Sequence, residues 1–175
     1  IAAGDVIVLG DHDDLFACDA LFECVKAMNA DPEIDVLYTD EDKTDETASR
    51  FFDPVCKPDL NMELLRSCNY ITHMFVVKKS IVEKTGLFDD TYNGAQDYDF
   101  ILRCVEQAKK VCHIPKVLYH WRISETSTAG NPKAKTYAYE AGARALQAHY
   151  DRMGMKAKAE TAEDAGYYLN VWTKE

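Results

Sequence analysis

The sequence has no cluster of lysine or arginine. Its 20 basic residues stand against 30 acidic ones, for a formal net charge of −10 at neutral pH. Proteins that track phosphate backbones or anionic lipid need grouped cationic side chains, so nucleic acid is not an expected partner. There is also no CxxC pair among the six cysteines (Cys18, Cys24, Cys56, Cys68, Cys104, Cys112). Most of them sit in apolar stretches, which reads them as reduced core residues rather than a disulfide frame or zinc site. No apolar run approaches the roughly 20 residues that cross a bilayer, and no basic-apolar leader follows Ile1. The expectation is a soluble, cytoplasmic domain, brought to the inner face of the membrane only through the rest of a longer parent chain. Internal repeats and low-complexity tracts are absent as well.

What is present is enough apolar material for one core. With 47% hydrophobic and 11% aromatic residues in 175, a single domain over 1–175 is expected. The opening residues carry a β-branched run that reads as a buried strand and leads directly into Asp11-His12-Asp13-Asp14. Asp19 is placed to cap a helix through about Ala30, with Leu21, Val25 and Met28 as its apolar stripe, and Pro32 marks its end. Asp35 to Thr39 reads as a second strand and Asp40-Glu41-Asp42-Lys43 as an acidic turn after it. Residues 44–59, punctuated by Pro54 and Pro58, read as irregular; Leu60 to Arg66 suits a short helix and Tyr70 to Val77 a third strand. A short helix over Ser80 to Thr85 stops at Gly86, and a longer one starts near Gln96 with Phe100, Ile101, Cys104, Val105 and Ala108 on its apolar face. Val117 to Trp121 is a strand, Arg122 to Pro132 a polar loop, Lys133 to Met153 a helix ended by Gly154, and Gly166 to Trp172 a terminal strand.

Three features could carry chemistry. Asp-x-Asp at a strand's end, over Asp11 to Asp14, offers the hard oxygen ligands that a divalent cation on a diphosphate needs, although an acidic turn capping the next helix answers the same pattern. Gln96-Asp97-Tyr98-Asp99 opens a helix, where one carboxylate can cap and the other face a cleft. His120, at a strand's end, can ligate a metal or serve as a hydrogen-bonded structural residue. Trp121 and Tyr98 suit either a sugar face or the core.

In this order these elements resemble the inverting family 2 glycosyltransferases of the GT-A fold, and among them bacterial surface-polysaccharide enzymes of the rhamnosyltransferase kind. The matching stretches are Ala3-Gly-Asp-Val-Ile-Val-Leu-Gly-Asp-His-Asp-Asp14, Tyr38-Thr-Asp-Glu-Asp-Lys43, Lys57-Pro-Asp59, Asn69-Tyr-Ile71, Gly94-Ala-Gln-Asp-Tyr-Asp-Phe-Ile-Leu-Arg103 and His113-Ile-Pro-Lys-Val-Leu-Tyr-His-Trp-Arg122. The resemblance implies an α/β fold, a three-layer GT-A mixed sheet truncated at its N-terminus, with a nucleotide-binding half preceding Ile1 in family members. It implies Mn²⁺ or Mg²⁺ held by Asp13, with Asp11 beside the metal or the ribose and His120 as a further ligand. Asp97 takes the place of the catalytic base, preceded by Gln96 where the family often has Glu. Arg122, with the hydroxyls of Ser124, Ser127 and Thr128, would close over the diphosphate, and Asp42 and Trp121 would lie toward the substrates. The implied partners are a nucleotide-diphosphate sugar donor and a glycan or lipid-linked acceptor. Without the preceding half, little turnover and self-association through an exposed edge of a parallel sheet are expected. A noncatalytic carbohydrate- or partner-binding module of the same fold, and a metal-dependent phosphohydrolase or nucleotidyltransferase, are the competing readings.

Overall fold

The computed structural model describes residues 3–123 and 136–173. In chain order the elements are β1 (Val6–Leu9), β2 (Leu15–Phe16), α1 (Ala20–Ala30), β3 (Val36–Thr44), β4 (Phe51–Val55), α2 (Met62–Ser67), β5 (Phe75–Lys78) and α3 (Lys79–Thr85). A 3₁₀ turn (Asp90–Tyr92) then leads to α4 (Gln96–Gln107), β6 (Val111–Arg122), α5 (Thr136–Met153), β7 (Ala157–Thr161) and β8 (Tyr168–Trp172).

The main sheet runs β1-β5-β3-β6-β2, with β4 beside the second half of β3. Of its pairings only β3 with β6 is parallel; the others are antiparallel, so the sheet is mixed, as the resemblance implied, and its β1 edge is antiparallel rather than the edge of a parallel sheet. Side chains alternate across it as a two-residue period requires. Val36 and Tyr38 of β3 and Phe75 and Val77 of β5 enter one core with α2, α3, α4 and α5. Leu37, Met74 and Val76 enter the other, under α1. Helices therefore cover both faces, giving three layers.

Several expectations change. The first strand is not buried but forms the sheet's edge, with Val6 exposed. The acidic stretch Asp40 to Lys43 is no turn: β3 runs through it to Thr44 with Asp40, Glu41 and Asp42 buried. Residues read as irregular contain β4, and β7 pairs with β8 as a hairpin that the sequence pattern did not announce. On α1 the face turned to the sheet carries Ala20 and Cys24, while Leu21, Phe22 and Val25 stand 58%, 64% and 56% exposed. Small residues let this helix approach the sheet closely, and the larger stripe is displaced by one position. Asp19 precedes α1 without a side-chain capping bond. The cysteines are free, but only Cys24 and Cys104 are buried, and burial pushes each thiol up to about 11. Among the described residues no helix is long and apolar enough to cross a membrane.

The C-terminal hairpin is keyed to the helical layer. Tyr168 of β8 stacks on Tyr98 of α4 with ring centroids 5.5 Å apart and an interplanar angle of 15°. Its hydroxyl passes α5 where Gly142 has no side chain; a Cβ there would lie 1.8 Å from that oxygen. Because the stack holds the ring, Gly142→Ala is expected to destabilise the domain by about 1–3 kcal/mol. A thermal melt should show this as a fall of about 2–4 °C per kcal/mol, with partial recovery when Tyr168→Phe is added.

Candidate functional site

A cavity of about 820 Å³ opens where the loop after β1, the far ends of β3 and β6, the entry to β5, the first turn of α4, the start of α5 and the β7–β8 turn meet. Asp11, Gln96, Asp97 and Trp121 all line it. So does His73, which the sequence pattern placed within a strand.

Asp97 sits in the first turn of α4, half-buried. Asn69 Nδ2 donates to its Oδ2 at 3.0 Å. Burial raises the carboxyl above the usual aspartate range, against the opposing pull of the Tyr98 backbone N–H and of nearby His73. Gln96 bends back to accept from the Gly94 N–H at 2.8 Å, fixing the turn into the helix. Asp99, two residues on, is structural: it is buried and pairs with Arg103 at 2.6 Å. Tyr98 is also a core residue, its hydroxyl donating to the Leu65 carbonyl.

Across the cavity Asp11, Asp14 and His73 each present a ligand atom, all within 4.8 Å of one another. His73 Nε2 lies 3.7 Å from Asp11 Oδ2. Its ring is clamped by Tyr119, stacked at 4.8 Å, and by Trp121, edge-on at 5.9 Å. Asp14 accepts from the Tyr119 hydroxyl at 2.5 Å and from the Arg122 N–H at 2.8 Å. Burial nevertheless raises its carboxyl above the ordinary value. Two carboxylates and an imidazole at this spacing can bind a divalent cation.

Two residues expected in that set stand elsewhere. The Asp13 carboxylate is half exposed, with His12 Nδ1 at 3.8 Å, and only its backbone carbonyl is engaged, by Arg122 Nε at 2.7 Å. His120 follows from strand geometry. With Tyr119 and Trp121 against His73, the side chain between them leaves on the opposite face. There its Nδ1 lies 2.6 Å from Asp42 Oδ1 and its ring 4.5 Å from Phe51. Asp42 is thus the buried partner of His120 and not a cavity residue. Arg122 ties the acidic turn to the Glu46 carbonyl at 2.6 Å. Ser124, Ser127 and Thr128 lie outside the described residues.

The sequence pattern gave no role to Lys57, whose ammonium is buried. It donates to Glu41 Oε2 at 3.0 Å, to the Ile71 carbonyl at 2.7 Å and to the His73 carbonyl. Burial pulls its pKa down, while the Glu41 charge opposes that. Glu41 also accepts from the Thr72 hydroxyl at 2.9 Å. The pair therefore holds residues 71–73 and aims His73. A lysine in a Lys-Pro-Asp stretch was visible in the sequence; its partners, 14 to 16 residues away, were not.

No family model matches the chain. It is 47% identical over 154 residues to the uncharacterized protein y4gI of Sinorhizobium fredii (strain NBRC 101917 / NGR234), covering 87% of this chain and 17% of that protein. It is 34% identical over 164 residues to the O-antigen biosynthesis protein RfbC of Myxococcus xanthus, covering 94% of this chain and 13% of that one. The chain thus spans less than a fifth of the length of both relatives. Among solved structures it is similar to S. aureus TarS 1-349 in complex with UDP, with a TM-score of 0.54 at 14% identity over 86% of this chain and 48% of that one. For S. aureus TarS 1-349 the TM-score is 0.53 at 11% identity, over 97% of this chain and 76% of that one. TarS is a family 2 glycosyltransferase. The mixed sheet and its helices are therefore a glycosyltransferase fold of the GT-A type, as the resemblance implied.

Removing the Lys57 ammonium leaves Glu41 buried without a counter-charge. Lys57→Met is expected to lower the unfolding free energy by about 3–5 kcal/mol in urea, with part of the loss recovered by adding Glu41→Gln.

Proposed function

We propose that the chain forms the metal- and acceptor-binding part of an inverting family 2 glycosyltransferase. In this reading it transfers a sugar from a nucleotide-diphosphate donor to a glycan or lipid-linked acceptor in bacterial surface-polysaccharide synthesis. One observation carries this: a half-buried aspartate shares a cavity with Asp11 and His73, two members of a three-residue set able to hold the kind of cation that neutralises a diphosphate. The GT-A-type fold and the sequence similarity to an O-antigen biosynthesis protein support it.

The chemistry balances without a covalent intermediate. Asp97 takes the proton of the acceptor hydroxyl while that oxygen forms its bond to the anomeric carbon. The bond from that carbon to the diphosphate oxygen breaks on the opposite side, and the electron pair stays on the leaving diphosphate, so the anomeric centre inverts. Asn69 orients the carboxylate, and the elevated pKa makes it a better proton acceptor than an exposed aspartate. Asp11, Asp14 and His73 would hold the cation, which supplies charge stabilisation to the leaving group. An imidazole in the set fits Mn²⁺ better than Mg²⁺, which favours all-oxygen surroundings.

In a longer protein containing this chain, Asp97→Asn is expected to reduce turnover about 10²- to 10⁴-fold with donor affinity unchanged. The base works only when ionised, so kcat/KM in the parent protein should fall as pH drops through the Asp97 pKa, at a midpoint above the ordinary aspartate range. That limb should vanish in the Asn variant. Release of an intact nucleoside diphosphate is the expected product; phosphate or pyrophosphate would point to a hydrolase or nucleotidyltransferase instead.

Calorimetric titration with Mn²⁺ distinguishes the acidic residues. Asp14→Asn and His73→Ala are each expected to weaken binding about tenfold or more, and Asp13→Asn to leave it within about twofold, as the loss of one ligand compares with the loss of a bystander.

A further inference from the structure

The cavity has a distinct chemical character. Among its described lining residues there is no lysine or arginine, while three are carboxylates; Glu41 is neutralised by Lys57 behind it, which leaves Asp11 and Asp97 as the anionic groups facing the cavity. Two tyrosines from different elements also line it. Tyr137, in the first turn of α5, is 53% exposed although it borders the cavity, and Tyr167, just before β8, is 52% exposed. Open ring faces of this kind are what the apolar faces of a pyranose require. The amides of Asn69, Asn93 and Gln96 line the same cavity and suit neutral hydroxyls.

The Tyr137 ring and the Tyr167 backbone are held in place. Gly94 has φ +94°, and a Cβ on it would come within 2.7 Å of the Tyr137 ring, so this glycine lets the ring lie against the entry to α4. Tyr167 precedes the strand that Tyr168 locks onto Tyr98, and it forms an isolated β-bridge to Cys68, beside Asn69. Burial, with the Asp97 charge adding to it, pushes the Tyr168 hydroxyl up to about 12, and the two residues line the same cavity.

We infer that the β7–β8 hairpin and the start of α5 form the acceptor wall, and that they accept an uncharged sugar residue and reject a phosphorylated or carboxylated one. Tyr137 and Tyr167 hold the ring, and Asp11 and Asp97, which no lysine or arginine among the described lining residues offsets, repel anions. This selectivity rests on the glycosyltransferase reading for its purpose, but not for its test. Saturation-transfer NMR on the 175-residue chain, with neither nucleotide nor metal added, would compare methyl glycosides of glucose, galactose, mannose and rhamnose with glucose 6-phosphate and glucuronate.

The expected result is transfer to at least one neutral glycoside and none above background to the two anions. Tyr137→Ala and Tyr167→Ala should each cut the signal by about two- to tenfold, the worth of one aromatic contact, while Tyr167→Phe keeps it. Equal or stronger transfer to the anions, silence from every neutral glycoside, or full signal in a folded Tyr167→Ala chain would overturn the inference. Neutral-sugar binding without any donor cleavage by the longer protein would sink the glycosyltransferase reading and leave the wall standing. Donor cleavage with anionic sugars preferred would do the reverse.

Discussion

The fold is organised by the need to pair three consecutive carboxylates that β3 carries through the protein interior. An unpaired buried carboxylate is costly by several kcal/mol, so each must be met by a donor on another element. Asp40 is met by His113, whose Nε2 lies 2.8 Å away, and by the Lys57 N–H at 2.9 Å. Glu41 is met by the Lys57 ammonium and Asp42 by His120. Two of these partners sit on β6 and fix how it lies against β3; the third pins the loop before β5. The cavity is the space these constraints leave at the sheet's end, and His73 faces it because Lys57 holds its carbonyl.

Much of this frame could be read from the sequence because it is local. The acidic turn after β1, the entry to α4 at Gln96, the stop at Gly86 and the helix ended by Gly154 each depend on neighbours a few residues away. Hidden features depend on distant partners. Nothing near Asp40, Glu41 or Asp42 distinguishes a solvated turn from a buried strand; the answer lies in Lys57, His113 and His120, between 16 and 78 residues away. His120 was a reasonable ligand by residue type and by its place at a strand's end, but the parity of β6 decides its face, and parity is set by Tyr119 and Trp121 reaching His73. The same one-residue sensitivity turned the large stripe of α1 outward.

Asp14 and Asp13 show how fine that sensitivity is. Both follow the same strand, and an Asp-x-Asp pattern favours Asp13 with Asp11. In the folded turn Arg122 grips the Asp13 carbonyl through its guanidinium and the Asp14 carboxylate through its backbone N–H. The Tyr119 hydroxyl donates to Asp14 as well. These contacts rotate the turn so that Asp14 faces inward beside Asp11, while the Asp13 side chain is left toward solvent. Which carboxylates are offered as candidate ligands is therefore decided by the end of β6, more than a hundred residues along the chain from the acidic turn it organises.

The two ends of the site are also electrically joined. Burial is the main cause of the raised pKa of both Asp14 and Asp97, and in each case Asp11 adds to it and His73 opposes it, so the same two residues act on the candidate cation site and on the aspartate across the cavity. Any positive charge that offsets Asp11 weakens its repulsion of Asp97 and favours the ionised carboxylate. In a transferase this links the two events that must coincide: neutralisation of the leaving diphosphate and readiness of the base. Asn69 supplies direction to the carboxylate, and burial supplies its basicity. The absence of lysine and arginine from the described wall keeps that balance from being overridden, because a cation placed there would hold Asp97 ionised but weakly basic. The composition that argues for an uncharged acceptor thus also preserves the proton affinity on which the proposed chemistry depends.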